Sequence, residues 1–222
     1  MRKTTLALMM ATFMAGCGSH DPILPGDRTA IFKSESITIL NEKIENLPDA
    51  AMSGDVGACP YTQDAQNIIW DGDKKVFTGF PTSNCVGATR RPVCHGPHIY
   101  AGLTTGEVVK LNPKTRQVAW VADVYRPSNM TGGASVLDIV APIVVDGASV
   151  YAGGLGDAFC RLRGDSGTSR WCVPIATAHP FVIAGPAAFV MSTDGNLYAV
   201  RTRDGAVYWR TGVKRGGHPP MR

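Results

Sequence analysis

The sequence carries little charge: Asp, Glu, Lys and Arg make up 18% of its 222 residues. The formal balance of +4 includes Arg2 and Lys3, and without them the chain sits near +2. So weak a field gives no reason to expect nucleic acid or an acidic substrate. Aromatic residues are also sparse, at 8%, which makes the spacing of the tryptophans informative. The chain has no adjacent Cys-Cys pair, no Gly-rich phosphate loop and no Ser/His/Asp spacing that stands out from its background. It has no apolar run of the ~20 residues that a helix needs to cross a bilayer; the stretch Leu6–Ala15 falls well short. What it does have is glycine, 25 residues, the mark of a turn-rich β protein.

The N-terminus has its own logic. Arg2 and Lys3 precede the apolar stretch, and the small residues Ala15 and Gly16 close it before Cys17. A basic start, a short apolar core and a small-residue cleavage site describe an export signal. Met14-Ala15-Gly16-Cys17 further resembles the bacterial lipobox, with methionine where leucine is usual. The expectation is a lipoprotein signal peptide over 1–16 and acylation, palmitate included, at Cys17; an ordinary secretory signal is the alternative. Each buried methylene of such a chain contributes about 0.8 kcal/mol. Gly18 stands where the same resemblance places an aspartate in lipoproteins kept at the inner membrane, so it implies the outer membrane. Cleavage would leave 206 of the 222 residues, enough for one sizeable domain. Residues 17–58 contain Pro22, Pro25 and Pro48 without a sustained period and are expected to be a lipidated tether and N-terminal segment. Its apolar positions, among them Ile37, Ile39 and Leu47, are expected to pack onto the following domain or close its ring.

That domain, 59–213, is repetitive. Tyr100, Tyr151 and Phe189 each precede a tryptophan by twenty residues: Trp120, Trp171 and Trp209. Between them Gly106, Asp157 and Gly195 share one offset, and Leu111, Leu162 and Val200 another. Each unit reads as four strands joined by Gly and Asp turns. A four-stranded unit cannot bury both faces alone, and radial stacking of such units gives a β-propeller. The three tryptophans are then structural anchors between adjacent blades. A fourth strand pair, Ile68–Gly72 with Val76–Gly79, matches the opening hairpin of a unit. It places Trp70 on a first strand and leaves no room for a second hairpin. The fold class is thus all-β, a propeller of four-stranded antiparallel blades with only about three to four blades present. The loops near 81–91 and 125–138 are the expected contact surfaces. Residues 214–222 form an irregular basic, Pro/Gly-rich tail.

The units resemble the quinoprotein-type (PQQ-like) propeller repeat: Asn112-Pro113-Lys114-Thr115 with Trp120, and Arg203-Asp204-Gly205 with Trp209, are degenerate copies of its turn and tryptophan. With the lipobox and Leu24-Pro25-Gly26-Asp27-Arg28, the chain is similar to the BamB family, propeller lipoproteins of the outer-membrane β-barrel assembly (BAM) machinery. The resemblance implies a lipid-anchored, periplasm-facing scaffold that is not an enzyme and needs no cofactor. Its partners would be a BamA-like protein and nascent outer-membrane proteins. The family's contact residues do not match position by position, so none is carried over. The family has an eight-bladed wheel, which leads us to expect that this chain is a truncated or frameshifted propeller; completion of the ring by dimerising is the alternative. A quinone-cofactor dehydrogenase uses the same repeat, but those enzymes carry adjacent cysteines and a full ring. A structural envelope lipoprotein unrelated to barrel assembly also stays open.

Two constellations remain. Cys94-His95-x-x-His98 offers three metal-ligating side chains, but strand alternation splays Cys94 from His98, so no metal site is expected. Five cysteines follow Cys17 in an oxidising compartment: Cys59, Cys85, Cys94, Cys160 and Cys172. Cys160 and Cys172 flank one hairpin and are a possible disulfide, as are Cys85 and Cys94 across their short loop; free buried thiols are the alternative. Asp146, Asp165, Asp194 and Asp204 sit in turns, where a solvated turn-forming role suffices.

Overall fold

The computed structural model describes residues 51–52, 59–82, 85–86, 91–126 and 136–213, all within the compact unit Ser34–Arg222. The expected signal peptide, Cys17, most of 17–58, most of both long loops and the tail 214–222 lie outside the described residues. Every regular element described is a strand, and the strands form four antiparallel sheets. The first sheet holds β2 (Tyr61–Gln63), β3 (Ile68–Asp71) and β4 (Lys74–Thr78). The second holds β5 (Val93–His95), β6 (His98–Gly102), β7 (Glu107–Asn112) and β8 (Gln117–Asp123). In the third are β9 (Val144–Asp146), β10 (Ser149–Gly153), β11 (Phe159–Arg163) and β12 (Ser169–Val173). The fourth has β13 (Val182–Ala184), β14 (Ala187–Met191), β15 (Asn196–Arg201) and β16 (Val207–Gly212), with β1 (Ala51–Met52) added beside β13. This is a partial β-propeller of about four blades.

The cores lie between sheets, as the alternation along each strand requires. Ile69 and Val76 of the first sheet pack with Ile99, Val109 and Leu111 of the second. Val93, Tyr100 and Val108 of the second meet Val150, Cys160 and Leu162 of the third. Tyr151 and Phe159 of the third meet Ala188, Val190 and Val200 of the fourth. Each sheet therefore buries one face against the next, which is why no unit could stand alone.

Backbone conformation corrects one expectation. In the turns joining β6 to β7, β10 to β11 and β14 to β15, Gly106, Asp157 and Gly195 all have positive φ. Asn67, between β2 and β3, has φ 64° and occupies the same place; asparagine is among the few side chains that tolerate it. The first sheet thus contains second, third and fourth strands, and the pair Ile68–Gly72 with Val76–Gly79 is a closing hairpin, not an opening one. Trp70 accordingly lies on a third strand. The pairing agrees: Phe77 faces Ile69 just before a register shift. Trp120 faces Lys110, Trp171 faces Arg161 and Trp209 faces Ala199 at the same point of their sheets. Phe77 therefore occupies the tryptophan position.

Candidate interaction surface

The inter-sheet ties show which groups are already committed. Trp120 Nε1 donates to the Gly164 carbonyl at 3.1 Å and Trp171 Nε1 to the Thr202 carbonyl at 2.9 Å, each acceptor lying just past the third strand of the next sheet. The rings press on the turn glycines that follow. A Cβ on Gly167 would come 2.7 Å from the Trp120 ring, and one on Gly205 3.0 Å from the Trp171 ring. Both glycines also have positive φ, so these positions exclude side chains twice over.

A second cation-based tie escaped the repeat alignment. Lys110 Nζ lies 5.5 Å over the Tyr100 ring and donates to the same Gly164 carbonyl at 2.6 Å. Arg161 lies 6.0 Å over Tyr151, and its Nη1 donates to the Thr202 carbonyl at 2.9 Å. Each carbonyl thus accepts an indole and a cation, a stronger arrangement than a neutral bond alone. The signal available in the sequence is a basic residue ten positions after the aromatic; the fourth sheet has Ala199 there. Between the first two sheets the tie is neutral. The buried Asn67 accepts from Thr104 N–H at 2.8 Å and donates to Thr104 Oγ1 at 2.7 Å and the Phe80 carbonyl at 2.6 Å.

The cysteines complete the framework. Cys160 is bonded to Cys172, opposite it in the β11–β12 register. Cys94 is bonded to Cys59, not to Cys85, and Cys85 is a free thiol. The pairing expected from the short loop fails because Cys59 and Cys94 belong to one packed cluster between the first and second sheets. Cys94 is therefore held in a covalent bond, while His95 and His98 face each other across β5 and β6. Burial, with Lys110 nearby, lowers the His98 pKa.

The turn carboxylates brace their own hairpins. Arg201 donates to both Asp204 oxygens, at 2.8 and 2.7 Å, and Arg163 forms the same bidentate pair with Asp165. Asp194 accepts from Ser192 and from Asn196 Nδ2. The Arg201 bond is the main reason that the Asp204 carboxyl falls from 3.8 to about 2. Because the folded value lies below the unfolded one, the contribution is present above about pH 4 and fades as pH falls through about 2. Asp204 is well exposed, so the effect is small. In denaturation series, Asp204→Asn is expected to be slightly less stable than the parent at pH 6 and equal to it below about pH 2. An unchanged difference across that window would show that the carboxylate charge plays no part.

A cavity of about 160 Å³ beside the third sheet is lined by Ser149, Arg161, Arg163, Asp165 and Arg170 among others. Arg161 and Arg163 are used in the ties just described, so the cavity does not assemble a free cationic cluster. Among the described residues no group of His, Cys, Asp and Glu could hold a metal. What the surface does offer is apolar area. Among the described residues, Phe80, Val86, Val118, Val121 and Val213 are the exposed large hydrophobics; Phe80 and Val86 lie on the loop after the first sheet, and Val118 and Val121 on β8. Val86 is positioned by its N–H, which donates to the buried Asp138 carboxylate at 2.7 Å.

The family described as outer membrane protein assembly factor BamB matches residues 50–211, most of the chain. The chain belongs to the BamB family. Its fold is similar to that of BamB from Moraxella catarrhalis, with 18% identity, a TM-score of 0.46, and coverage of 76% of this chain and 51% of that one. The chain thus spans about half the length of that BamB relative. It is also similar in fold to the quinohemoprotein alcohol dehydrogenase ADHIIG from Pseudomonas putida HK5, at 14% identity and a TM-score of 0.51, covering 68% of this chain and 32% of that one. No curated protein sequence matches it.

Proposed function

We propose that this BamB-family chain is a non-catalytic scaffold of the outer-membrane protein assembly machinery. Anchored at the periplasmic face of the outer membrane through Cys17, it binds a BamA-like protein and nascent outer-membrane proteins. The family match over residues 50–211 is the observation that carries this reading. The commitment of Lys110, Arg161 and the turn carboxylate Asp204 to structural ties, together with the exposed apolar residues on β8, supports a binding role over a chemical one. The likeness to a quinohemoprotein dehydrogenase extends to fold alone.

The test is purification of the lipidated full-length chain from membranes in mild detergent. A BamA-like protein is expected to co-purify, and Cys17→Ser is expected to move the chain to the soluble fraction. Recovery of the lipidated chain without a BamA-like protein sinks the proposal, and quinone absorbance in the pure sample would favour the dehydrogenase reading.

A further inference from the structure

Among the described residues, each of the four sheets ends on an outer strand whose far edge pairs with no further strand. Such an edge is a template for another chain, and charged side chains normally guard it. Three of the four outer strands follow that rule. Lys74 and Lys75 stand exposed on β4, Arg170 on β12 and Arg210 on β16. The remaining one, β8, is the longest described strand at 7 residues and reads Gln-Val-Ala-Trp-Val-Ala-Asp, with no charge before its last position. Val118 and Val121 on it are 44% and 49% exposed.

The backbone of β8 is available in a defined phase. Val124 N–H donates to the Gly106 carbonyl at 2.8 Å. By the two-residue alternation of an antiparallel ladder, Ala122 and Trp120 then bond inward to β7, while Val121 and Asp123 turn their N–H and C=O outward.

Charge identifies what fits this edge. At one end Asp123 lies directly opposite Glu107 on β7, a like-charge pair that weakens the ladder. The Asp123 charge, with burial and Glu107, raises the Tyr125 phenol above its usual range. At the other end the exposed turn into β8 carries Lys114 and Arg116. An edge that is acidic at one end, basic at the other and apolar between is complementary to itself when run antiparallel.

We infer that β8 is a self-association edge: two copies of this chain pair antiparallel along β8 across a two-fold axis. Asp123 of each copy then lies at the Arg116–Gln117 end of the other, and Val118 and Val121 are covered from both sides. The contact is isologous and small, so the dimer is weak, with a dissociation constant on the order of tens of micromolar.

Sedimentation equilibrium of the full-length chain in density-matched detergent tests this. A concentration-dependent dimer is expected, weakening as salt rises. Val121→Lys supplies the missing guard and brings two like charges together near the axis, so dimerisation is expected to weaken about tenfold or more. Asp123→Arg and Arg116→Glu are each expected to weaken it about threefold, and the double variant to recover most of that loss. Amide exchange at Val121 should slow with protein concentration. A monomer throughout the micromolar range, whether or not the edge takes up an added peptide, overturns the proposal. So does a dimer indifferent to Val121→Lys.

Discussion

Trp171→Ala is expected to lower the unfolding free energy by about 3–4 kcal/mol, read from urea denaturation with the disulfides intact. The ring sits 6.2 Å from Tyr151 and 5.9 Å from Phe159, and its atoms are the nearest to the place a Cβ on Gly205 would take. Its removal opens a cavity at the seam between the third and fourth sheets, where the largest core cluster lies. Because Gly205 and Trp171 are on different sheets, relaxation would need the whole fourth sheet to shift, which leaves most of the cavity unfilled. Trp171→Phe separates packing from hydrogen bonding. It keeps much of the ring and loses the bond to Thr202, for about 1 kcal/mol, since Arg161 still satisfies that carbonyl. If Trp171→Ala costs less than about 1 kcal/mol, the tryptophan does not hold the two sheets together.

The repeat made much of this legible. Offsets from Tyr100, Tyr151 and Phe189 mark the turns and the tryptophans in the sequence itself, because a stacked repeat must return each residue to the same place against its neighbour. The first unit misled for a physical reason. The pair Ile68–Gly72 with Val76–Gly79 has the form of an opening hairpin, because the position that packs against the next sheet is held by Phe77 in place of a tryptophan. The marker that would have corrected it is Asn67, a residue tolerant of positive φ at the place of Gly106 and Gly195. The cation ties were equally hidden, since Lys110 and Arg161 look like ordinary exposed residues of alternating strands. Only the approach of the next sheet turns each into a bridge. Exposed apolar residues on β8 are not legible at all from alternation: Val121 and the buried Val109 facing it are chemically the same, and only distance from the seam distinguishes them.

Spacing along one hairpin marks the Cys160–Cys172 bond, but the Cys59–Cys94 bond joins two sheets and is hidden from spacing for the same reason as the cation ties; it has the second large effect. Cys59 and Cys94 are 35 residues apart, so the loop they close limits the unfolded chain more than the 12-residue separation of Cys160 and Cys172. On the chain-entropy account the longer bond contributes about 4 kcal/mol and the shorter about 3. Cys59→Ser with Cys94→Ser should therefore destabilise the protein by up to about 4 kcal/mol, and the loss should not be uniform. The first sheet has three described strands, and its ties to the second include this disulfide, the apolar cluster around Ile69, the Asn67–Thr104 bonds and the bond from Gln63 Nε2 to the Gly102 carbonyl. The third and fourth sheets are joined by a larger aromatic seam that the substitution does not touch. Amides of β2, β3 and β4 are accordingly expected to exchange faster in the double variant at low denaturant, while those of β10, β11, β14 and β15 keep their protection. Uniform acceleration across all four sheets would mean that the array unfolds as one unit. In that case the disulfide would act on the whole propeller through the unfolded state rather than by clamping its first sheet.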